Sequence, residues 1–268
     1  ESVVRVLRID AVRCDILSRN TYRIRQESGV GVGSKGFKEV LSLNNFDWID
    51  QEPSRGVAWG AFEKLLYNCG SADNEERVKK LIIFIRGEDS YDENSLAPEG
   101  IMRRSQLADT FHSDLVYVGA PVGSLSSSNS KTEAFFRSTH DYAAFKETHK
   151  DRPDRLYVGA NDGMLHAYDK DLNELWGFIP PSVLPKLRGL VSQSGKTNSK
   201  WLVDGPIIVK DIYINATSEW KTILVGALGW GGKSYYVLDI TNAWSPKHLF
   251  TIDNDDKNKQ VNYWSESG

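Results

Sequence analysis

The chain has 268 residues, 40% hydrophobic and 26% charged, with a formal net charge of −3. That balance lacks the basic excess of a nucleic-acid binder. No uninterrupted apolar run reaches the roughly 20 residues of a membrane-spanning helix, and the length suffices to bury one substantial core or two smaller ones.

In chain order, residues 3–9 and 21–24 read as strands and 29–36 as a glycine-serine turn. Residues 1–10 carry charges where a secretory signal needs an apolar core, and the abrupt ends at a strand and at Ser267-Gly268 read as an excised piece of a longer protein. Residues 55–69 and 74–86 read as helices. In the second, Val78, Leu81, Ile82 and Ile85 share one face at 3.6-residue spacing, Asp73 is the expected N-cap and Gly87 the expected C′ residue. Residues 1–105 are therefore assigned to N-terminal strands plus a helical hairpin (55–86) that flanks a different architecture over 106–268. Cys14 and Cys69 permit one disulfide in an oxidising compartment and fit two buried thiols equally well.

From residue 106 the pattern becomes β. The tripeptide Val-Gly-Ala occurs at Val118, Val158 and Val225, and each copy closes a short apolar run. Residues 156–160 read as a strand, Asn161-Asp162-Gly163 as a tight turn, 164–168 as the return strand and 174–179 as a third. Residues 222–227, the loop 228–232, 234–240 and 247–252 repeat that grammar. Strand, glycine turn, strand ending in aspartate and third strand describe a β-propeller blade, so each copy is expected to mark the first complete strand of a blade. The first two copies lie 40 residues apart, within the range of blade repeats, and the next follows after 67, which calls for an insertion at 180–201 that reads as loop. A second insertion, 123–150, starts serine-rich and turns helical and aromatic, with Phe135, Phe136, Tyr142 and Phe145. It either packs on the propeller or contacts a partner.

Catalytic and metal patterns fail on spacing. His112, Asp109 and Ser113 lie too close in sequence for a triad, and the segment reads as a lead into the first blade. His166 falls inside a strand and reads as a packed imidazole. The glycines at 229, 231 and 232 lead into a strand, so no helix dipole waits for a phosphate. In 253–258, Lys257 stands where a calcium loop needs its fifth-position oxygen, and a solvated turn is expected. Glu88 interrupts the Arg-Gly-Asp order at 86–89, and integrin recognition is not expected from it.

The stretches RRSQLADTFHSDLVYVGAP, LYVGANDGMLHAYD, ELWGFIPPSVLPKL, VDGPIIVKDIYI and EWKTILVGALGWGGKSYYVLDIT, in this order, resemble the propeller domain of the PilC/PilY family of type IV pilus tip-associated biogenesis factors and adhesins. The resemblance runs from about Ala58 to about Thr251. It implies a mainly β fold, a partial β-propeller of quinoprotein-like blades with a small helical insertion in the N-terminal part. It also implies a non-enzymatic protein, secreted to the outer membrane, pilus tip or cell surface, that supports pilus extension, twitching motility and adhesion. The implied partners are minor pilins of the tip complex, with the host-cell surface as a second class; neither nucleic acid nor a small-molecule substrate is expected. The family's calcium loop is expected beyond Gly268, so no cofactor is expected within this chain. The blade grammar is shared with quinoprotein dehydrogenases, which makes an oxidoreductase propeller the alternative, and Trp176 stands where their blade-docking tryptophan is expected.

The residues singled out are therefore structural or interfacial. Asn161, Asp162 and Gly163 form the expected turn, and Asp169 and Asp239 are expected to accept hydrogen bonds from the turns that follow them. Trp230, flanked by glycines in a loop, and Phe135 and Phe136 are the candidate interface residues, because exposed loop aromatics anchor interfaces.

Overall fold

The computed structural model describes residues 9–10, 23–24, 81, 84, 85, 87, 107–191 and 199–265. The cysteines and most of the expected hairpin at 55–86 lie outside these. Within the described part, β1 (Ile9–Asp10) pairs antiparallel with β2 (Arg23–Ile24). Leu81, Phe84 and Ile85 are helical and buried. Gly87 takes φ 99° and returns its N–H to the Phe84 carbonyl at 2.9 Å, a left-handed stop that suits glycine.

Two antiparallel meanders carry the remainder. The first pairs β3 (Val116–Val118), β4 (Arg155–Gly159), β5 (Leu165–Tyr168) and β6 (Glu174–Phe178) in sequence order. The second runs β7 (Ile207–Ile214), β8 (Glu219–Ala227), β9 (Ser234–Asp239), β10 (Lys247–Asp255) and β11 (Gln260–Ser265). The turns follow local chemistry. Gly163 takes φ 97° and its N–H donates to Ala160 O at 3.2 Å, closing the β4–β5 turn.

This topology corrects the expected blade count. Val118 lies on β3 and pairs with Arg155 of β4, so the first two Val-Gly-Ala copies occupy neighbouring strands of one sheet rather than two blades. Their 40-residue separation reflects a long insertion between two paired strands. The second and third copies, on β4 and β8, are the equivalent pair, and each lies on the second strand of its sheet. Their glycines serve close approach. A Cβ on Gly159 would stand 2.5 Å from the Val203 carbonyl oxygen, and one on Gly226 would run into the Tyr236 ring on the neighbouring strand.

One core cluster spans both sheets. Phe178 of β6 meets Tyr236 of β9 at 5.7 Å and His248 of β10 at 5.4 Å between ring centroids. The stretch expected as loop at 180–201 contains a 3-10 helix, Pro181–Leu190, with Val183, Leu184, Leu187 and Leu190 buried in that cluster. Leu184, Leu187 and Leu190 repeat every three residues, the period that aligns side chains on a 3-10 helix. Its prolines and glycine masked that period at the sequence level.

The insertion between β3 and β4 forms α1 (Glu133–Thr139), capped by the Thr132 hydroxyl, and α2 (Tyr142–Thr148). It packs on the second sheet. The buried Tyr142 hydroxyl donates to the Asp211 carboxylate of β7, and its ring meets Trp220 edge-on at 4.7 Å. Burial first, then the Asp211 bond, push this phenol up to about 12. Among the described residues no helix is long and apolar enough to cross a membrane.

Candidate interaction surface

The strand registers sort the connections to two ends of the stacked sheets. The β4–β5 and β8–β9 turns, the β6–β7 connection and the approach to β3 share one end; the α1–α2 insertion and the β5–β6, β7–β8 and β9–β10 turns share the other.

The first end is knitted by side chains of short loops. The Asn161 backbone N–H donates to Asp109 O at 3.0 Å and its amide to the Asp109 carboxylate at 2.8 Å, while its Oδ1 accepts from Leu202 N at 2.9 Å. One turn residue thus joins three segments. Asp162 Oδ1 accepts from Met164 N at 3.1 Å and meets His166 Nε2 at 3.0 Å; His166 Nδ1 meets Glu174 at 2.7 Å. The imidazole is fully buried. Burial alone would lower its pKa, but the Asp162 charge and hydrogen bond, then Glu174, hold it up at about 9, so both ring nitrogens donate at neutral pH.

The chain from Leu202 to Gly205 passes between the sheets. Val203 N donates to Ala160 O at 3.3 Å, and the Cα positions of Gly205 and Gly231 abut backbone of Ala227 and Leu202 respectively, leaving no room for a Cβ. Asp204 is buried at the centre. Its Oδ1 accepts from Phe111 N at 2.8 Å and His112 N at 2.9 Å, and its Oδ2 pairs with His112 Nδ1 at 2.9 Å. Burial pushes this carboxyl up, but the His112 and Phe111 donors outweigh it and leave it below the ordinary carboxylate value.

Above this clamp lies an aromatic surface. Phe111 stands perpendicular to His112 at 4.5 Å, Trp201 lies 5.7 Å from His112, and Trp230 lies 5.0 Å from His112 and 5.1 Å from Trp201. Phe111 and Trp230 are each 71% exposed and Trp201 42%. Trp230 rides on the 3-10 turn Gly229–Gly231, whose Gly231 carbonyl accepts from Lys186 Nζ at 2.7 Å. Four rings from three separated segments are therefore held ready before any partner arrives.

The other singled-out residues fall elsewhere. Asp169 Oδ1 accepts from Asp171 N and Asn173 N, both at 2.9 Å. Asp239 Oδ1 accepts from Thr241 N at 3.0 Å, and its Oδ2 pairs with Lys221 at 3.0 Å. Phe135 and Phe136 sit on α1, at the end opposite Trp230, so the three candidate interface residues do not form one surface. Phe136 stacks on His140 at 3.7 Å and meets Tyr213 and Trp220 at 5.9 and 6.0 Å, which makes it chiefly a contact to the second sheet. Trp176 is buried against Tyr157 within its own sheet, at 5.7 Å, as part of the shared core cluster. The sequence reading missed Phe111, whose partners are distant in the chain, and Asp204, whose position before Gly205 was the one local signal.

The triad candidates part company: His112 goes to Asp204, Asp109 to Asn161, and Ser113 Oγ accepts from Gly159 N at 2.8 Å. The β10–β11 turn is closed by Asp255, whose carboxylate accepts from Asn258 N at 3.0 Å and Asn258 Nδ2 at 2.7 Å, and Lys233 pairs with Asp256. Among the described residues, no three His, Cys, Asp or Glu side chains are grouped to hold a metal ion.

Stacked antiparallel meanders that share one core, with loops gathered at two ends, define blades of a β-propeller. Residues 113–266 match the family model described as the PilY1 beta-propeller domain, and the chain belongs to that family. It is 38% identical over 177 residues to a type IV pilus biogenesis factor PilY1 homolog of Xylella fastidiosa, covering 65% of this chain and 14% of the relative. It is 33% identical over 233 residues to the type IV pilus biogenesis factor PilY1 of Pseudomonas aeruginosa PAO1, covering 83% of this chain and 17% of that one. The crystal structure of the Pseudomonas aeruginosa PilY1 C-terminal domain aligns at 32% identity with a TM-score of 0.38, over 53% of this chain and 26% of that chain. The chain thus spans 14–17% of the length of these curated relatives.

Proposed function

We propose that this chain is a non-catalytic propeller segment of a type IV pilus biogenesis factor and that it works through protein–protein contacts at the Trp201–Trp230 surface. The match of residues 113–266 to the PilY1 propeller carries the reading, together with relatives named for pilus biogenesis. The physical support is the surface itself. Exposed indoles and phenyl rings are the groups that dominate protein interfaces, and a clamp that fixes them beforehand reduces the ordering cost of binding. The partners in this proposal are minor pilins of the tip complex, and the host-cell surface where the longer protein acts as an adhesin. Its setting is the secreted, outer-membrane or pilus-tip side of the cell, and its roles are extension, twitching and adhesion. Calcium belongs to the longer protein's domain in this proposal. The oxidoreductase alternative draws no support from these relatives.

The test is made in the native gene. Replacing Trp201 and Trp230 with alanine together should lower surface pilin and twitching several-fold while the protein's level holds, and deleting the gene should lower both further. Wild-type piliation in the deletion strain would end the pilus assignment; wild-type piliation in the double variant alone would end the role of the surface.

A further inference from the structure

Arg155 opens β4 at the end of the stacked sheets opposite Trp230, and only 3% of it is exposed. Trp244, on the β9–β10 turn of the second sheet, lays its indole over the guanidinium, whose carbon lies 4.3 Å from the ring centroid. Arg155 Nη1 donates to the Asp154 carbonyl at 2.8 Å, but Nε and Nη2 have no hydrogen-bond partner. A guanidinium keeps its charge at any ordinary pH, and buried donors of a charged group are ordinarily paired. Two unpaired donors at this depth mark a place where the fold supplies no acceptor of its own.

The nearby Arg152 shows the same edge filled. Its Nε and Nη2 both donate to the Gly119 carbonyl, the first at 2.8 Å, and its Nη1 donates to Thr222 Oγ1 at 2.6 Å. In Arg155 the corresponding edge meets no acceptor among the described residues. The two carboxylates whose charges reach it, Asp169 and Asp154, are both committed elsewhere. Asp154 Oδ1 accepts from the Tyr117 hydroxyl at 2.6 Å, and Asp169 accepts from Asp171 N, Asn173 N and Asn173 Nδ2, each at 2.9 Å.

Guanidinium geometry selects the missing group. Nε–H and one N–H of Nη2 point the same way in one plane, which matches the two oxygens of a single carboxylate. Asp154 and Asp169 disfavour a dianion such as phosphate more than a monoanion, because repulsion scales with charge. Both nitrogens are closed to solvent, and the cover is an indole that is itself 57% exposed on a turn. We propose that the Nε–Nη2 edge of Arg155, beneath Trp244, is a carboxylate-binding site. Its ligand is either a small free acid or an aspartate or glutamate side chain from elsewhere in the longer polypeptide. The site lies away from the Trp201–Trp230 surface and is independent of the pilus assignment.

Phenylglyoxal, which modifies accessible guanidinium groups, reads the site through mass spectrometry of the peptide that contains Arg155, in the native polypeptide purified from its own cells. Trp244→Ala removes the cover, and Trp244→Leu takes its place if the alanine variant loses cooperative unfolding. With a small acid as ligand, Arg155 should react at least tenfold faster in the variant than in wild type. Millimolar sodium acetate should then slow it at least fivefold, and sodium chloride of equal ionic strength should not. With a carboxylate of the polypeptide itself as ligand, Arg155 should stay slow in the variant. In Arg155→Lys a carbodiimide should then join the new amine to an aspartate or glutamate other than Asp154 and Asp169. Fast modification that acetate leaves unchanged would overturn the proposal. Slow modification with no crosslink, or with a crosslink only to Asp154 or Asp169, would overturn it as well, since the guanidinium would then be sealed or served by its own neighbours.

Discussion

Asp204 and His112, 92 residues apart in sequence, meet through Oδ2 and Nδ1 at 2.9 Å, and the same carboxylate takes the backbone N–H groups of Phe111 and His112. This buried clamp ties the approach to the first sheet to the connection that enters the second. It also sets the height and orientation of the rings that the surface presents. A charged acceptor with several donors exceeds a surface ion pair, because removing it leaves those donors without their partner.

Asp204→Ala should therefore destabilise the chain by about 2–3 kcal/mol, measured by denaturant unfolding. Asp204→Asn, which keeps the shape and one acceptor, should cost about half as much. An Asp204→Ala variant within 1 kcal/mol of wild type would show that the clamp carries little of the fold.

Gly159 is a packing position, although its repeated tripeptide first suggested a blade marker. A Cβ there would meet the Val203 carbonyl at 2.5 Å, so Gly159→Ala should cost about 2–3 kcal/mol through forced separation of the two backbones. Gly189→Ala is the matched control, since among the described residues its Cβ would meet Lys200 Cε at an ordinary 3.5 Å, and it should change stability by less than about 0.5 kcal/mol. Equal effects at the two positions would refute the close-approach explanation.

The buried imidazoles predict opposite pH limits. His166 has a folded value of about 9, above its ordinary 6.5, so its contribution is complete below pH 6.5 and is lost as pH rises through 9. His248 is pushed down to about 4, mainly by burial, so its contribution is present above pH 6.5 and is lost as pH falls through 4. Denaturation midpoints should peak near pH 6.5 and decline on both sides. Between pH 6.5 and 9, His166→Gln should flatten the alkaline decline; an unchanged slope in that variant would remove His166 as its source.

His166→Gln should also lower stability at pH 6.5 by about 3 kcal/mol, because Asp162 and Glu174 then face each other across the site without the intervening cation. The double replacement Asp162→Asn with Glu174→Gln on that background should recover part of the loss. No recovery would mean that the penalty comes from packing.

How much of this was legible in the sequence follows from range. The β4–β5 hairpin and its Asn161-Asp162-Gly163 turn are written in adjacent residues, as are the carboxylate turns at Asp169 and Asp239. The pairing of β3 with β4 is not, because Val118 and Arg155 are separated by the α1–α2 insertion and nothing local announces that they meet. A 40-residue spacing therefore looked like a blade repeat. Trp230 was visible as a glycine-flanked loop aromatic, whereas its neighbours Trp201, His112 and Phe111 are gathered only by the clamp at Asp204. Phe136 reads as an interface residue from its helix alone; it stays 41% exposed, and the rings it meets, Tyr213 and Trp220, belong to β7 and β8.

In the proposed function the Trp201–Trp230 surface contacts the pilus machinery. A photo-crosslinking amino acid placed at Trp230 of the native polypeptide, and separately at exposed Leu172 of the opposite end, tests it in piliated cells. Adducts to pilus-assembly proteins are predicted from position 230 at several times the yield from position 172. Equal yields from both positions, or adducts at position 230 only to proteins outside the pilus system, would rule out this contact.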